Sequence, residues 1–201
     1  MTCLKNIKIA NNMTDFITNL TLAFNNTANC IESNNKNVFW IDENPLTSKS
    51  FIVQHLVNND EKDIMIRINN PLTKDINLLC IDACIFSSSD GSRCDCAIFD
   101  DNKFCFCELK FEVIKSDNAT SNLKKARNKQ LNSTITEFKS KVDFSRFSKL
   151  EAYVALKKYY YPKRPARLAG LKTDFWNQHQ VEYFEEKEIT FDVPEKKIET
   201  D

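Results

Sequence analysis

Two carboxylates and a lysine, Asp95, Glu108 and Lys110, lie within a doubled alternating run, RCDCAIFDDNKFCFCELKF, from Arg93 to Phe111. Its halves, RCDCAIF and KFCFCELKF, alternate with a period of two around the turn-forming Asp100-Asp101-Asn102-Lys103, which predicts a β-hairpin. Side chains alternate between faces along a strand, so Phe104, Phe106, Glu108 and Lys110 share one face and Cys105, Cys107, Leu109 and Phe111 the other. On the first arm Asp95, Ala97 and Phe99 oppose Cys94, Cys96 and Ile98. With the turn centred on Asp101-Asn102, paired residues have numbers summing to 203, which sets Asp95 opposite Glu108 and Cys96 opposite Cys107. Directly opposed strand residues hold their Cβ atoms ~4.5–5.5 Å apart.

Two acidic groups that close repel each other unless something offsets them. A divalent cation does so: Mg²⁺ takes oxygen ligands and is held by one or two carboxylates plus waters and phosphate oxygens. Lys110, two residues beyond Glu108, projects to the same side. Such a cluster suits metal-assisted hydrolysis of a phosphodiester, in which the metal lowers the pKa of a bound water. The lysine can orient that water, assist its deprotonation or stabilise the developing negative charge. The trio shares its face with Ala97, Phe99, Phe104 and Phe106 rather than with Ser and Thr, unlike a solubilising strand surface.

The thiols have a plainer reading. Zinc ligands usually come as C-x₂₋₄-C on knuckles, whereas C-x-C on a flat strand splays its sulfurs along the sheet. Cys94, Cys96, Cys105 and Cys107 are therefore expected to pack as small apolar groups beneath a helix, opposite the carboxylates. No window approaches the ~18 apolar residues of a membrane helix. The start, MTCLKNIKIANNMTDF, lacks a secretory h-region, so a cytoplasmic setting with reduced, unbridged cysteines is expected.

The elements that must position the trio are legible in outline. At 201 residues with 42% apolar composition and 15 Phe, the chain is expected to form a single domain, 1–201. Lys+Arg and Asp+Glu balance at 28 each, so net charge advertises no polyanion partner, although a local basic surface is still allowed. Residues 14–24 place Phe16, Ile17, Leu20 and Phe24 on one helical face. A polar connection follows, then a second helix over 48–59, SKSFIVQHLVNN, and a short strand in DIMIRINN. The apolar run 76–86 predicts a central strand. Beyond the hairpin, Leu123, Ala126, Gln130, Ile135 and Phe138 mark a basic helix; KLEAYVALKKYYYP and VEYFEEKEITFDV then predict strands. His55 and His179 are expected to be structural, and no Gly-rich phosphate loop occurs.

Asp95, a short gap, then Glu108-Leu109-Lys110 on the adjacent strand resembles the PD-(D/E)xK nuclease superfamily. The resemblance extends to element order: a helix, three antiparallel strands, a helix and a further strand, over about residues 48–160, with N-terminal helical and C-terminal β additions. It implies an α/β fold with a restriction-endonuclease-like core, a central mixed sheet carrying an antiparallel hairpin and flanked by helices. It implies a Mg²⁺-dependent nuclease (a hydrolase), acting as an endonuclease or an exonuclease, with Mn²⁺ as a substitute ion and DNA, sometimes RNA, as substrate. Restriction, phage defence or mobile-element biology is the implied setting. Asp95 and Glu108 then bind metal, Lys110 is the catalytic lysine, the Leu109 carbonyl adds a ligand, and Gln130 points inward from the following helix.

Cys94 stands where the family has proline. The acidic residue usual on the first helix falls to Glu43 or Glu61, with Glu32 behind them, and Asp82 is a second-rank ligand. Lys124, Lys125 and Arg127 supply phosphate contacts, and Tyr159, Tyr160 and Tyr161 are available for base stacking. A core this small leaves activation or sequence choice to a homodimer or a partner chain. The rival reading is a catalytically inactive nuclease-fold binding or regulatory module.

Overall fold

The computed structural model describes residues 13–25, 27–54, 65–111, 116–156 and 165–192. Helix α1 (Met13–Ala23) leads through a 3₁₀ turn, Thr27–Cys30, into β1 (Ile31–Asn34), β2 (Val38–Glu43), β3 (Ser50–Val53), β4 (Ile66–Asn69) and β5 (Ile76–Cys80). The hairpin is β6 (Cys96–Phe99) and β7 (Lys103–Lys110). Helices α2 (Ser116–Lys125) and α3 (Asn132–Lys141) run together through a π-helical turn, Ala126–Leu131, and β8 (Lys149–Leu156), α4 (Pro165–His179), β9 (Glu182–Phe184) and β10 (Glu188–Thr190) complete the chain.

Three layers result. A six-stranded sheet has the order β1-β5-β6-β7-β8-β9, antiparallel through β7 and parallel from β7 to β9. The helices cover one face, where Phe16, Leu20, Leu123, Ile135 and Phe138 bury against Ala97, Phe99, Phe104 and Phe106. Rings lock this face: Phe99 stacks on Phe104 at 5.1 Å between centroids, and Phe16 meets Phe147 edge-on at 4.8 Å. The other face carries a four-stranded sheet of order β10-β4-β2-β3, whose Phe39, Ile41, Ile66 and Ile68 pack on Leu78, Ile98, Cys96, Cys105 and Cys107. The molecule is thus a mixed α/β fold, as the sequence predicts at that level.

The hairpin keeps its expected register: Cys96 pairs with Cys107, Ala97 with Phe106, Ile98 with Cys105 and Phe99 with Phe104. Asp100 sets it. Its Oδ1 accepts the N–H groups of Asn102 and Lys103, both at 2.8 Å, folding the turn on a side-chain clasp. Lys74 neutralises that carboxylate at 3.3 Å.

Several elements differ from expectation. The helix expected over 48–59 is a strand where described: buried Ser50 and Ile52 alternate with half-buried Phe51 and Val53, a period of two. His55, Leu56 and the rest of that stretch from 55, Glu61 included, lie outside the described residues, as do Tyr159 to Tyr161. The polar connection after α1 contains edge strand β1, and VFWIDE forms β2, which was not expected. The run 76–86 stays extended only to Cys80, after which the Ile81 carbonyl accepts N–H groups from Ile85 and Phe86, each at 3.1 Å, and bends the chain. VEYFEEKEITFDV divides between the two sheets as β9 and β10.

Cys94 sits in the helix-side core rather than with the other thiols. Strand pairing starts at Cys96, and the bend at Asp95 breaks the alternation. Cys96, Cys105 and Cys107 do lie opposite the charged face, but under the second sheet rather than a helix. Cys30 and Cys84 are joined as a disulfide with Cα atoms 5.8 Å apart, which corrects the expectation of unbridged cysteines. The 3₁₀ turn and the bend after β5 converge, and two thiols that close are within bonding reach. Closing a 54-residue separation constrains the unfolded chain, so Cys84→Ser is expected to cost about 2–4 kcal/mol. Urea unfolding checks this: dithiothreitol should bring the wild type to the variant's midpoint, and an unchanged midpoint would refute it. Among the described residues no helix is long and apolar enough to cross a membrane.

Candidate functional site

The trio meets where the hairpin opens beneath the π turn. Asp95 is anchored on three sides. Its N–H donates to the Cys107 carbonyl at 3.1 Å, and its carbonyl accepts Ile81 and Asp82 N–H groups at 2.9 and 3.1 Å. Its Oδ2 accepts the Leu109 N–H at 2.5 Å, across the hairpin. Glu108 has no exposed surface, while Asp95 and Lys110 are 5% and 8% exposed. The Lys110 ammonium lies against Glu108 Oε1, the i, i+2 meeting that strand alternation requires. Glu108 Oε2 has no hydrogen-bond partner among the described residues.

These groups perturb one another strongly. Burial pushes the Asp95 carboxyl up to about 7; the Lys110 charge and the Leu109 N–H oppose this, and Glu43 and Asp82 add to it. Burial also drives Glu108 well above the carboxylate range, with the Asp95 charge next in effect, Lys110 opposing and Glu43 adding. Cys94 is likewise raised, by burial and then by the Glu108 charge. Two acidic groups are thus crowded into a dry place that resists their ionisation, with one ammonium against them.

Gln130 arrives from the π turn, a helical irregularity frequent at functional sites. Its Nε2 donates to the Arg93 carbonyl at 3.3 Å, and its buried Oε1 is unpartnered among the described residues. Thr134, which the sequence reading missed, is the clasp beneath it. Its hydroxyl donates to the Gln130 carbonyl at 2.8 Å and accepts the Cys94 N–H at 2.8 Å. The available signal was its place one helical turn beyond Gln130, on the same face.

The remaining candidates divide. Glu43 ends β2 and lies near enough to raise both carboxyls, but it reaches the site from a strand rather than a first helix. Asp82, half-buried, accepts the Ala83 N–H at 2.9 Å where Ala83 takes φ 56°, a strained turn beside the site. Glu32 is spent on the Ile52 N–H at 3.2 Å. Leu109 contributes its N–H to Asp95 and its side chain to the core between the sheets. Lys124 and Lys125 are exposed at the end of α2, whereas Arg127 turns inward, its guanidinium 5.8 Å from the Tyr183 ring centre.

Oxygen donors, high desolvation and an unpartnered Oε2 fit a small hard cation. Among the described residues no three His, Cys, Asp or Glu side chains gather as metal ligands. Asp95 and Glu108 would supply two carboxylates, leaving water or phosphate oxygens to complete the shell.

No protein-family model, curated protein or solved structure matches the chain.

Proposed function

We propose that this protein is a Mg²⁺-dependent nuclease, built on a restriction-endonuclease-like core, that hydrolyses phosphodiester bonds in DNA. The observation carrying the proposal is Glu108: a fully buried carboxyl with an oxygen that has no hydrogen-bond partner among the described residues, beside a second buried carboxyl and a lysine. Placing these groups only for stability would bury two carboxyls against a single ammonium, a cost that apolar residues of similar size would avoid. The order β5-β6-β7, helix, parallel β8 supports the same reading, since it matches the later part of the succession that the superfamily resemblance implies; the helix implied before it, over 48–59, is strand β3 where described.

Asp95 and Glu108 would hold Mg²⁺, with Mn²⁺ as substitute; bound there, the ion supplies Lewis-acid charge neutralisation and a more acidic water. The chain's own groups do the rest. Leu109 N–H fixes the Asp95 carboxylate, and Glu108 holds Lys110 in place. The Lys110 ammonium stabilises the negative charge that grows on the phosphate as water adds to phosphorus and the bridging P–O bond breaks. Gln130 Oε1, anchored through Nε2, is free to accept a hydrogen bond from a water at the site.

The test is supercoiled plasmid incubated with Mg²⁺, Mn²⁺ or EDTA. Metal-dependent nicking is expected, absent with EDTA, and Lys110→Ala should slow it by about 10²–10⁴-fold. Folded protein that nicks under no condition would instead be a binding module.

A further inference from the structure

A cavity of about 400 Å³ opens between the π turn and α4, outside the carboxylate site. Arg127, Asn128 and Asn132 line one side, with Gln178 and His179 on the other. Two of its groups lack partners among the described residues: Arg127 Nη1, and Nε2 of His179, a residue only 8% exposed. The His179 ring is held in place by Phe175, 4.6 Å away between centroids. Buried polar atoms of this kind call for an occupant, water or ligand.

The hydrogen bonds around the cavity decide which kind. Asn128 spends its oxygen on Arg127 Nε at 2.9 Å, and Asn132 spends its oxygen on Gln178 Nε2 at 2.9 Å. Both asparagines therefore keep their NH₂ ends for other acceptors. Desolvation, then the nearby Lys139 charge, lowers the His179 pKa. The lining carboxylate, Asp174, is solvent-exposed. A guanidinium, two amide NH₂ ends and an imidazole line one space.

We propose that this cavity binds a phosphate group, with Arg127 as its main anchor and His179, Asn128 and Asn132 as supporting donors. Guanidinium and phosphate match in charge and in planar, two-point geometry. Arg127 stands three residues before Gln130, so both come from one turn of the same helix. A phosphate seated there would mark where a nucleotide of the substrate strand is gripped. That last assignment rests on the nuclease reading; the phosphate pocket itself does not.

The experiment is calorimetric titration of the full chain with inorganic phosphate in EDTA, which keeps metal chemistry out. Saturable binding is expected, weakened at least ~10-fold by Arg127→Gln. Asn132→Asp, which turns a donor into a repelling carboxylate without emptying the core, should weaken it similarly, and thermal melting verifies that each variant folds. No saturable binding, or binding that Arg127→Gln and Asn132→Asp leave intact, overturns the pocket. A short single-stranded oligonucleotide that competes with phosphate confirms the strand assignment. Phosphate binding without such competition keeps the pocket and removes that assignment. Plasmid nicking is scored separately, so failure of the nuclease reading is distinguishable from failure of the pocket.

Discussion

Replacing Glu108 by Gln is expected to abolish metal-dependent cleavage, by ~10³-fold or more, while making the metal-free protein more stable. Removing a metal-binding carboxylate forfeits several kcal/mol of charge stabilisation in the transition state. The gain in stability comes from the same burial. Glu108 is fully enclosed and faces the Asp95 charge, so its ionised form is the costliest charge on that face. A neutral amide of the same shape relieves about 1–2 kcal/mol at pH 8, roughly 2–8 °C in Tm. The sign of the pH dependence follows from the raised pKa values. Both carboxyls hold their protons to higher pH folded than unfolded, so their contribution is fully present below the ordinary carboxylate range. It is lost as pH rises, for Asp95 through about 7. Metal-free wild type should therefore lose stability from about pH 4 to beyond pH 7, and Glu108→Gln should flatten much of that slope. Mn²⁺ requires deprotonated ligands and should raise the wild-type midpoint more at pH 8 than at pH 6. Thermal melts of both proteins across pH check this. A flat wild-type profile, or an equal Mn²⁺ shift in the variant, goes against it.

The second large effect lies between the sheets, away from the site. Glu151 Oε2 holds Lys103 at 3.2 Å and accepts from Tyr153 at 2.8 Å and from the Cys105 thiol at 3.6 Å. Lys103 in turn donates to the Thr190 carbonyl at 2.9 Å, tying β7 to the end of β10 in the other sheet. Glu151 is 5% exposed and Lys103 7%. Glu151→Ala removes one partner of a buried pair, leaving an ammonium without its counter-charge and a phenol without its acceptor, at a cost of about 3–5 kcal/mol. Glu151→Gln keeps an acceptor and should cost less. Urea unfolding at neutral pH reads both, and an alanine variant as stable as wild type would show that water reaches Lys103.

The hairpin was readable because its information is local. Asp100 clasps its own turn, strand alternation does the rest, and the register of Cys96 with Cys107 follows without knowledge of the remaining fold. Helix α1, the long helix through Gln130, and β8 were readable for the same reason: period and length agree. What escaped depends on distant segments. Ser50 to Val53 carry apolar residues at a spacing that suits helix or strand, and only pairing with β2 decides between them. The Cys30–Cys84 bridge joins positions 54 residues apart that nothing local connects. Cys94 obeys alternation until the bend at Asp95 turns it toward the helices, next to Thr134. Helix α4 was hidden differently: Leu168, Leu171 and Phe175 have helical spacing, but the basic, proline-containing run before them drew attention to charge. The site was thus half legible, its strand members by pattern and its helical support only in three dimensions.

The most direct measurement of the central claim is a crystal of the full chain soaked in Mn²⁺, with the ion located by its anomalous scattering. The account predicts one ion bonded to carboxylate oxygens of both Asp95 and Glu108 at ~2.0–2.3 Å in the wild type, and none there in Glu108→Gln. Saturating Mn²⁺ with no ion between these two residues, or carboxylates turned to opposite sides of the sheet, would contradict it.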